Sequence, residues 1–147
     1  MSDIVNKAQR SKMMSNIRAV SKLEDRISKE LWHAGFRLRR NNKSLFGKPD
    51  FSIKKNKIVV FIDSCFWHGC ALHATIPKNN RDFWLKKLQR NVERDLEVSE
   101  YYSYRQWNML RVWEHDLKQD FIGTVEQIAN FISNIKENCR RESVRHE

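Results

Sequence analysis

The sequence predicts a single α/β domain in the order helix, strands, long helix, strand, helix. Two apolar runs predict buried central strands: IVVFI at residues 58–62 and WNMLRVW at residues 107–113. A long helix is expected between them, because apolar residues recur mostly on one face there: Phe83, Trp84, Leu88, Val92, Leu96 and Val98. The 147 residues contain no internal repeat and no Gly/Pro/Ser-rich linker, which fits one domain.

The chain begins with a basic segment. Residues 1–20 are predicted to form a basic arm or short helix that could lie on a phosphate backbone, with Arg10 and Lys12 among its cations. The tetrapeptide SKLE at residues 21–24 matches the S-x-x-E capping box, which predicts that a helix begins there. We expect that helix to end at Gly35.

The remaining elements follow from local patterns along the chain. Strands are predicted at Phe36–Arg40, Phe51–Ile53, Lys57–Ile62 and Trp107–Trp113, and helices from Asn79 or Asn80 to about Ser103 and from Gly123 to Glu137. These elements define a domain over residues 21–138. Residues 139–147 are expected to be a polar, frayed tail.

The positive charge is concentrated in one part of the chain. The formal net charge is +10, and residues 1–48 hold 12 Lys and Arg against 4 Asp and Glu, a net charge of +8. Such a concentration suggests a polyanionic partner, most often nucleic acid, because each neutralised phosphate releases counterions. Charge alone is equally compatible with a solvated basic surface, so other residues must decide.

Composition also predicts the compartment. We expect a cytosolic protein without a membrane span, because no apolar run approaches roughly 20 residues and the N-terminus lacks the apolar core of a secretory signal. The three cysteines are an odd number, which favours metal or thiol chemistry over a disulfide framework.

One constellation has the composition of a zinc site. Cys65, Cys70, His73 and, some forty residues later, His115 would supply two thiolates and two imidazoles, a usual tetrahedral set. Four protein ligands leave no open position, so this zinc would be structural and catalysis would come from elsewhere. The alternative is that the cysteines are reduced core thiols and the histidines surface residues.

A second constellation has the composition of a magnesium site. Asp50 begins one predicted strand and Asp63 ends the next, so a strand pair would bring both carboxylates to one edge, where they could hold Mg²⁺ against a scissile phosphate. Glu24 and His68 are candidates to complete the site. The alternative is that each aspartate is an ordinary turn residue.

Taken together, these motifs resemble the very short patch repair (Vsr) mismatch endonuclease family. The resemblance covers residues 6–118 in the same order with similar gaps, and the C-F-W-H-x-C block is its most specific part. It is carried by RSKMM at residues 10–14, GKPD at 47–50, DSCFWHGC at 63–70, Pro77, Asn80, Phe83-Trp84, Lys87, Asn91, Arg94-Asp95 and LRVWE at 110–114.

The resemblance implies a fold and a reaction. The fold would be restriction-endonuclease-like, of the PD-(D/E)xK type, with a central mixed sheet flanked by helices, and the reaction hydrolysis of one DNA strand beside a T:G mismatch. By position, Asp50 would be the central Mg²⁺ ligand with the backbone carbonyl of Ile62, and His68 the general acid/base. Glu24 would orient the site and Asp95 would support it. Asp63 would act as ligand or base, at a position where some members carry His.

The family match also assigns the zinc set and an aromatic wedge. Cys65, Cys70, His73 and His115 fall on the zinc positions, while Phe66, Trp67 and Trp84 match aromatic residues that such enzymes insert into the base stack. The free energy needed to unstack neighbouring base pairs is lowest beside a mispair, so insertion of these aromatic side chains would be a source of mismatch selectivity. From the sequence alone, burial in the core is the stronger interpretation of such aromatics.

Two departures bear on activity. Asp63 is followed by Ser64 and Cys65, so the acid-x-Lys half of the nuclease signature is absent and no catalytic lysine is predicted. Ser64 stands where Gly is common in the family, and Gln106 stands where a Gly before Trp107 is usual.

The leading hypothesis is therefore an Mg²⁺-dependent enzyme, acting as a monomer, that nicks duplex DNA at T:G mispairs. Such mispairs arise when 5-methylcytosine deaminates, which connects the protein with cytosine-methylation and mismatch-repair systems. Two alternatives remain: a related strand-cleaving nuclease of broader specificity, and a zinc-stapled DNA-binding module without catalysis.

Overall fold

The computed structural model describes residues 7–64 and 80–145 and places a four-stranded mixed sheet between helices. Its elements are α1 (Lys7–His33), β1 (Arg39–Arg40), β2 (Phe51–Ile53), a 3-10 turn (Lys54–Asn56), β3 (Ile58–Asp63), α2 (Arg81–Tyr104), β4 (Asn108–Trp113), α3 (Glu114–Gln119) and α4 (Phe121–Arg145). The predicted central mixed sheet flanked by helices is confirmed. Its closer likeness to restriction endonucleases stays a prediction.

The sheet has the order β1-β2-β3-β4. β1, β2 and β3 pair antiparallel, and β3 pairs parallel with β4 after the long crossover through α2. All six residues of β3 are buried, as the apolar run IVVFI predicts for a strand covered on both faces. The sequence therefore identified one central strand. The prediction that residues 107–113 form a second buried central strand is wrong, because β4 lies at the edge of the described sheet and only Val112 of its six residues is buried.

Alternate residues of β3 point into two separate cores. Ile58, Val60 and Ile62 belong to the larger core, together with apolar residues of α1, α3 and α4. Val59 and Phe61 belong to the smaller core, together with Val98 and Tyr102 of α2. Thus α1 and α4 cover one face of the sheet and α2 covers the other.

The start of the first helix differs from the sequence prediction. The capping box at residues 21–24 does not begin a helix, because α1 runs without interruption from Lys7 to His33. No Gly or Pro occurs within that stretch to stop it, so a strong local cap signal lies inside a longer helix. Gly35 follows the end of α1 with φ 94°, as expected of a C-terminal glycine.

The C-terminal region contains more helix than predicted. Glu114–Gln119 forms α3 where a polar turn was expected, and α4 extends to Arg145 through most of the segment interpreted as a frayed tail. An i,i+4 ion pair between Glu137 and Arg141, 2.8 Å long, lies in the extension. The frayed-tail interpretation is wrong for residues 139–145.

The length and apolar character of the described helices bear on membrane insertion. Within residues 7–64 and 80–145, none of the helices combines the length and the apolar character needed to cross a bilayer.

Candidate active site

Asp50 lies at the edge of the sheet immediately before β2. Its Oδ2 accepts a hydrogen bond of 2.6 Å from the backbone N–H of Ile62 in β3. Its carbonyl accepts another, of 3.0 Å, from the N–H of Asn41. The Asp50 side chain therefore adds one hydrogen bond beyond the end of the β2–β3 backbone pairing, and this bond fixes the position of the carboxylate.

The turn that delivers Asp50 is held by α2. Gly47 and Lys48 both have left-handed backbone conformations, with φ of 77° and 51°. A Cβ on Gly47 would lie 2.8 Å from Cγ2 of Val98, so only glycine fits there without displacement. The buried hydroxyl of Tyr102 donates a hydrogen bond to the Phe46 carbonyl. Packing of this turn against α2 thus determines the position of Asp50.

Glu24 approaches Asp50 from the opposite side, on α1. The pKa of Glu24 is raised from 4.5 to about 8, mainly by burial, then by the hydrogen bond with Asp50 and the charges of Asp50 and Asp25, while the charge of Arg40 opposes the rise. At neutral pH Glu24 is therefore protonated and donates to Asp50. Glu24 therefore contacts Asp50, and its orienting role stays a prediction.

Asp63 ends β3 on the face covered by α2. Its Oδ1 lies 2.9 Å from Nη1 of Arg111 on β4, and Asp63 is almost fully buried. The same Arg111 Nη1 lies 3.7 Å from Oδ1 of Asp95, and Nη2 donates to the Asp95 carbonyl at 3.4 Å. Asp63 and Asp95 are thus brought together by one arginine.

These residues surround a cavity of about 420 Å³ between the sheet edge and α2. The two aspartates at the strand ends, Asp50 and Asp63, both line it, as the sequence predicted. The other lining residues are Gly47, Lys48, Phe61, Ile62, Asn91, Arg94, Asp95, Val98 and Arg111. Within residues 7–64 and 80–145, neither Lys48 nor Arg94 makes an ion pair, so both cations remain available to an anion.

The donor set of this edge suits Mg²⁺ better than a metal that needs many protein ligands. Among the described residues, no group of three or more His, Cys, Asp or Glu side chains is arranged to hold a metal ion. Mg²⁺ is commonly held by one or two carboxylates, with waters and substrate phosphates completing its shell. In an extended strand the N–H and C=O of one residue point to the same side, so the Ile62 carbonyl faces the side on which Asp50 lies. Asp50 and this carbonyl therefore fit the ion.

Several predicted site residues lie outside the described ranges. These are His68, the aromatic residues Phe66 and Trp67, and the zinc candidates Cys65, Cys70 and His73. The fourth zinc candidate, His115, is in the first turn of α3. Its ring stacks on Trp113 with centroids 5.8 Å apart, and its Nε2 lies 3.4 Å from Oδ1 of Asp116. The zinc site stays a prediction.

The described DNA-binding candidates differ in exposure. Arg10 is exposed on the first turns of α1, and Lys12 lies on the same helix, with a side chain outside the description. Trp84 is only 1% exposed and packs edge-to-face against Phe83, with ring centroids 5.3 Å apart. This burial favours the core interpretation of Trp84, and its insertion into DNA stays a prediction.

Sequence reasoning missed Arg111 as a site residue. A signal was present, because Arg111 is the one charged residue inside WNMLRVW, a strand expected to be buried. A buried guanidinium requires a carboxylate or several acceptors. Its partners, Asp63 and Asp95, come from two other elements, and only the fold shows that they meet.

Carboxylates on a sheet edge, beside a cavity that is also lined by Lys48 and Arg94, are the groups expected of a protein of the nuclease class. A family model described as DNA mismatch endonuclease Vsr matches residues 2–73. The chain is 40% identical over 133 residues to the type II nicking enzyme V.NmeDIP of Neisseria meningitidis serogroup C, covering 88% of this chain and 90% of that protein. It is 36% identical over 124 residues to the DNA mismatch endonuclease Vsr of Escherichia coli (strain K12), covering 80% of this chain and 77% of that protein. It is 37% identical over 126 residues to the type II nicking enzyme V.NaeI of Lentzea aerocolonigenes, with coverages of 82% and 76%. The chain belongs to the Vsr family of DNA mismatch endonucleases, and it is a DNA endonuclease.

Proposed function

We propose that this endonuclease uses Mg²⁺ to nick one strand of duplex DNA beside a T:G mismatch, in very short patch repair. The observation that carries the proposal is the arrangement at the sheet edge, where Glu24 and the Ile62 backbone fix Asp50 beside a cavity lined by the cations of Lys48 and Arg94. Family membership supports the DNA substrate.

The carboxylate of Asp50 and the carbonyl of Ile62 would hold the ion. When bound, Mg²⁺ supplies charge neutralisation at the scissile phosphate and lowers the pKa of water. Glu24 keeps Asp50 oriented through its hydrogen bond. His68 would move the proton, taking it from the attacking water or giving it to the leaving oxygen.

DNA would be bound by charge and selected by stacking. Lys48 and Arg94 would contact phosphates at the cavity, while Arg10 and Lys12 would do so along α1. The aromatic residues Phe66 and Trp67 would enter the base stack, which is weakest beside a mispair, whereas Trp84, at 1% exposure, would stay in the core.

The expected zinc would have a structural role. Cys65, Cys70, His73 and His115 would hold it, and α3 would then be tied to the segment that follows β3. Because all four positions are protein ligands, zinc would shape the site rather than react.

A second candidate function is strand nicking with broader specificity. It is favoured by the names of two of the relatives above, which are called type II nicking enzymes rather than mismatch endonucleases. In both cases we expect a monomer that works alongside cytosine methylation, since deamination of 5-methylcytosine produces the T:G pair.

The test is a nicking assay on duplexes that differ only at one base pair. Cleavage of a T:G duplex in preference to its C:G counterpart, dependent on added Mg²⁺, would support the proposal. Equal cleavage of both duplexes would favour the broader nuclease.

The matched variants are Asp50→Asn and Glu137→Gln. Asp50→Asn should lower nicking by at least a hundredfold, because it removes the charge that holds the cation. Glu137 is exposed on α4, away from the cavity, so Glu137→Gln should nick like the parent. Unchanged nicking by Asp50→Asn would show that Asp50 does not hold the catalytic cation. No Mg²⁺-dependent nicking by the parent, with Asp50→Asn indistinguishable from it, would leave only the binding-module alternative.

A further inference from the structure

We propose that Asp63 is the buried counterion of Arg111 and not a metal ligand, and that Arg111 is a positioning residue that fixes α2 against the catalytic edge. The second half of this inference rests on the proposed Mg²⁺-dependent nicking. The pairing of Asp63 with Arg111 stands on the geometry alone.

Arg111 ties three elements together. It is the register partner of Phe61 in the parallel β3–β4 pair, so its side chain and those of Phe61 and Asp63 share one face of the sheet. The guanidinium carbon lies 4.7 Å from the centre of the Phe61 ring, and the group reaches along the strand to Asp63. From there it also contacts the side chain and the main chain of Asp95.

The contacts of Arg111 with Asp95 bear on catalysis because Asp95 is the sequence neighbour of a residue that lines the cavity. Asp95 follows Arg94, a cation that lines the cavity, and both are on α2. A guanidinium that binds both a side chain and a carbonyl of α2 restricts how that helix can shift relative to β3. The position of Arg94 in the cavity wall therefore depends on Arg111.

Electrostatics explains why Asp63 is assigned to the arginine. The Asp63 side chain is 6% exposed, and a buried carboxylate is stable only with a charged partner. Arg111 fills that role at 2.9 Å, and one of the two oxygens is committed to it. A divalent cation on the same carboxylate would lie close to the guanidinium and be repelled by it. The edge then keeps Asp50 as its metal-binding aspartate.

The pairing is tested by a double-mutant cycle in stability with Asp63→Leu, Arg111→Leu and the double variant. Arg111→Leu leaves the buried Asp63 without its cation, so we expect Tm to fall by about 10 °C; Asp63→Leu leaves Arg111 with its longer contacts to Asp95, so we expect a smaller loss. The double variant should be at least as stable as the better single variant, because two leucines replace the pair. Additive losses in the double variant would overturn the pairing.

The metal assignment is tested by Mg²⁺-dependent stabilisation of the folded protein. Asp63→Asn should keep the Mg²⁺ affinity within about threefold of the parent, whereas removal of a true ligand should cost at least the tenfold to hundredfold seen for supporting residues. A loss of that size in Asp63→Asn would overturn the assignment. If Asp63→Asn is too unstable, the same comparison is made with the double leucine variant.

The positioning role predicts a split in the kinetics. Arg111→Lys keeps the charge but cannot contact Asp63 and the Asp95 main chain together, so we expect kcat to fall tenfold or more with Mg²⁺ affinity unchanged. Arg90→Lys, on an exposed position of α2, is the matched control and should leave kcat unchanged. A lower Tm with an unchanged kcat would show that Arg111 is merely structural and overturn this part. If the parent neither binds Mg²⁺ nor nicks, the proposed function fails while the stability cycle still decides the pairing.

Discussion

Replacing Glu24 by glutamine should remove a pH dependence of stability that the site creates. In the folded protein the pKa of Glu24 is raised to about 8, mainly by burial and then by Asp50. In the unfolded chain it returns to 4.5. A glutamine has the same shape, does not titrate, and can still donate a hydrogen bond to Asp50.

The sign follows from which state binds the proton. Below pH 4.5 both states hold it, so Glu24 contributes fully to stability. Between pH 4.5 and 8 the unfolded chain releases the proton and the folded protein keeps it, so the free energy of unfolding falls as pH rises. Each pH unit costs about 1.4 kcal/mol, which amounts to about 3 kcal/mol at pH 7. Glu24→Gln should lack this loss.

The assay is urea denaturation of parent and variant between pH 4.5 and 8. The buffer should be free of magnesium and contain no chelator, because a chelator would also remove zinc. Glu30→Gln is the matched control, since Glu30 is an exposed glutamate on α1 and should keep the parental pH dependence. Equal pH dependence in the parent and in Glu24→Gln would refute the reasoning.

Two further predictions concern the cavity wall and the turn before Asp50. Lys48→Ala and Arg94→Ala should each reduce the slope of log affinity against log salt for duplex DNA by about 0.9, one phosphate contact each, and a slope unchanged in both variants would exclude them from DNA binding. Gly47→Ala should lower the free energy of unfolding by about 2 kcal/mol or more in thermal or urea denaturation, because φ is 77° and the new Cβ would lie 2.8 Å from Val98. Gly35→Ala, with φ of 94° and no atom within 4 Å of its Cβ, should lose only about 1 kcal/mol, and equal losses would show that the contact with α2 is unimportant.

The strands and the long helix could be predicted because their signals are local. IVVFI is apolar at every position, and it forms the strand buried on both faces. The helix predicted from Asn79 or Asn80 to Ser103 is observed as Arg81–Tyr104. At Phe36–Arg40 the alternation was correct, but only Arg39–Arg40 pairs, opposite Phe51 and Ser52 of the short strand β2. Strand length is set by the partner, which a local pattern does not contain.

The contents of the candidate site could be predicted only in part. Asp50 and Glu24 were named by motif and resemblance, but their hydrogen bond depends on how α1 packs across the sheet. Arg111 was missed, although a cation in a largely apolar strand needs a partner, because Asp63 and Asp95 are 48 and 16 residues away in the sequence. Charge pairs between distant elements are properties of the tertiary structure.

The side chains of β3 alternate between the two faces of the sheet, so this one strand holds both Asp50, through the Ile62 backbone, and Arg111, through the Asp63 side chain. Ile62 points its side chain into the core beneath α1 and uses its backbone to bind Asp50. The next residue, Asp63, points to the α2 face and binds Arg111. A shift of β3 by one residue would send Asp63 into the apolar core and turn Ile62 toward the cavity. The contact of Ile62 with Asp50 and the ion pair of Asp63 with Arg111 would then both be lost. The apolar residues that set this register are therefore as necessary to the endonuclease as the carboxylates themselves.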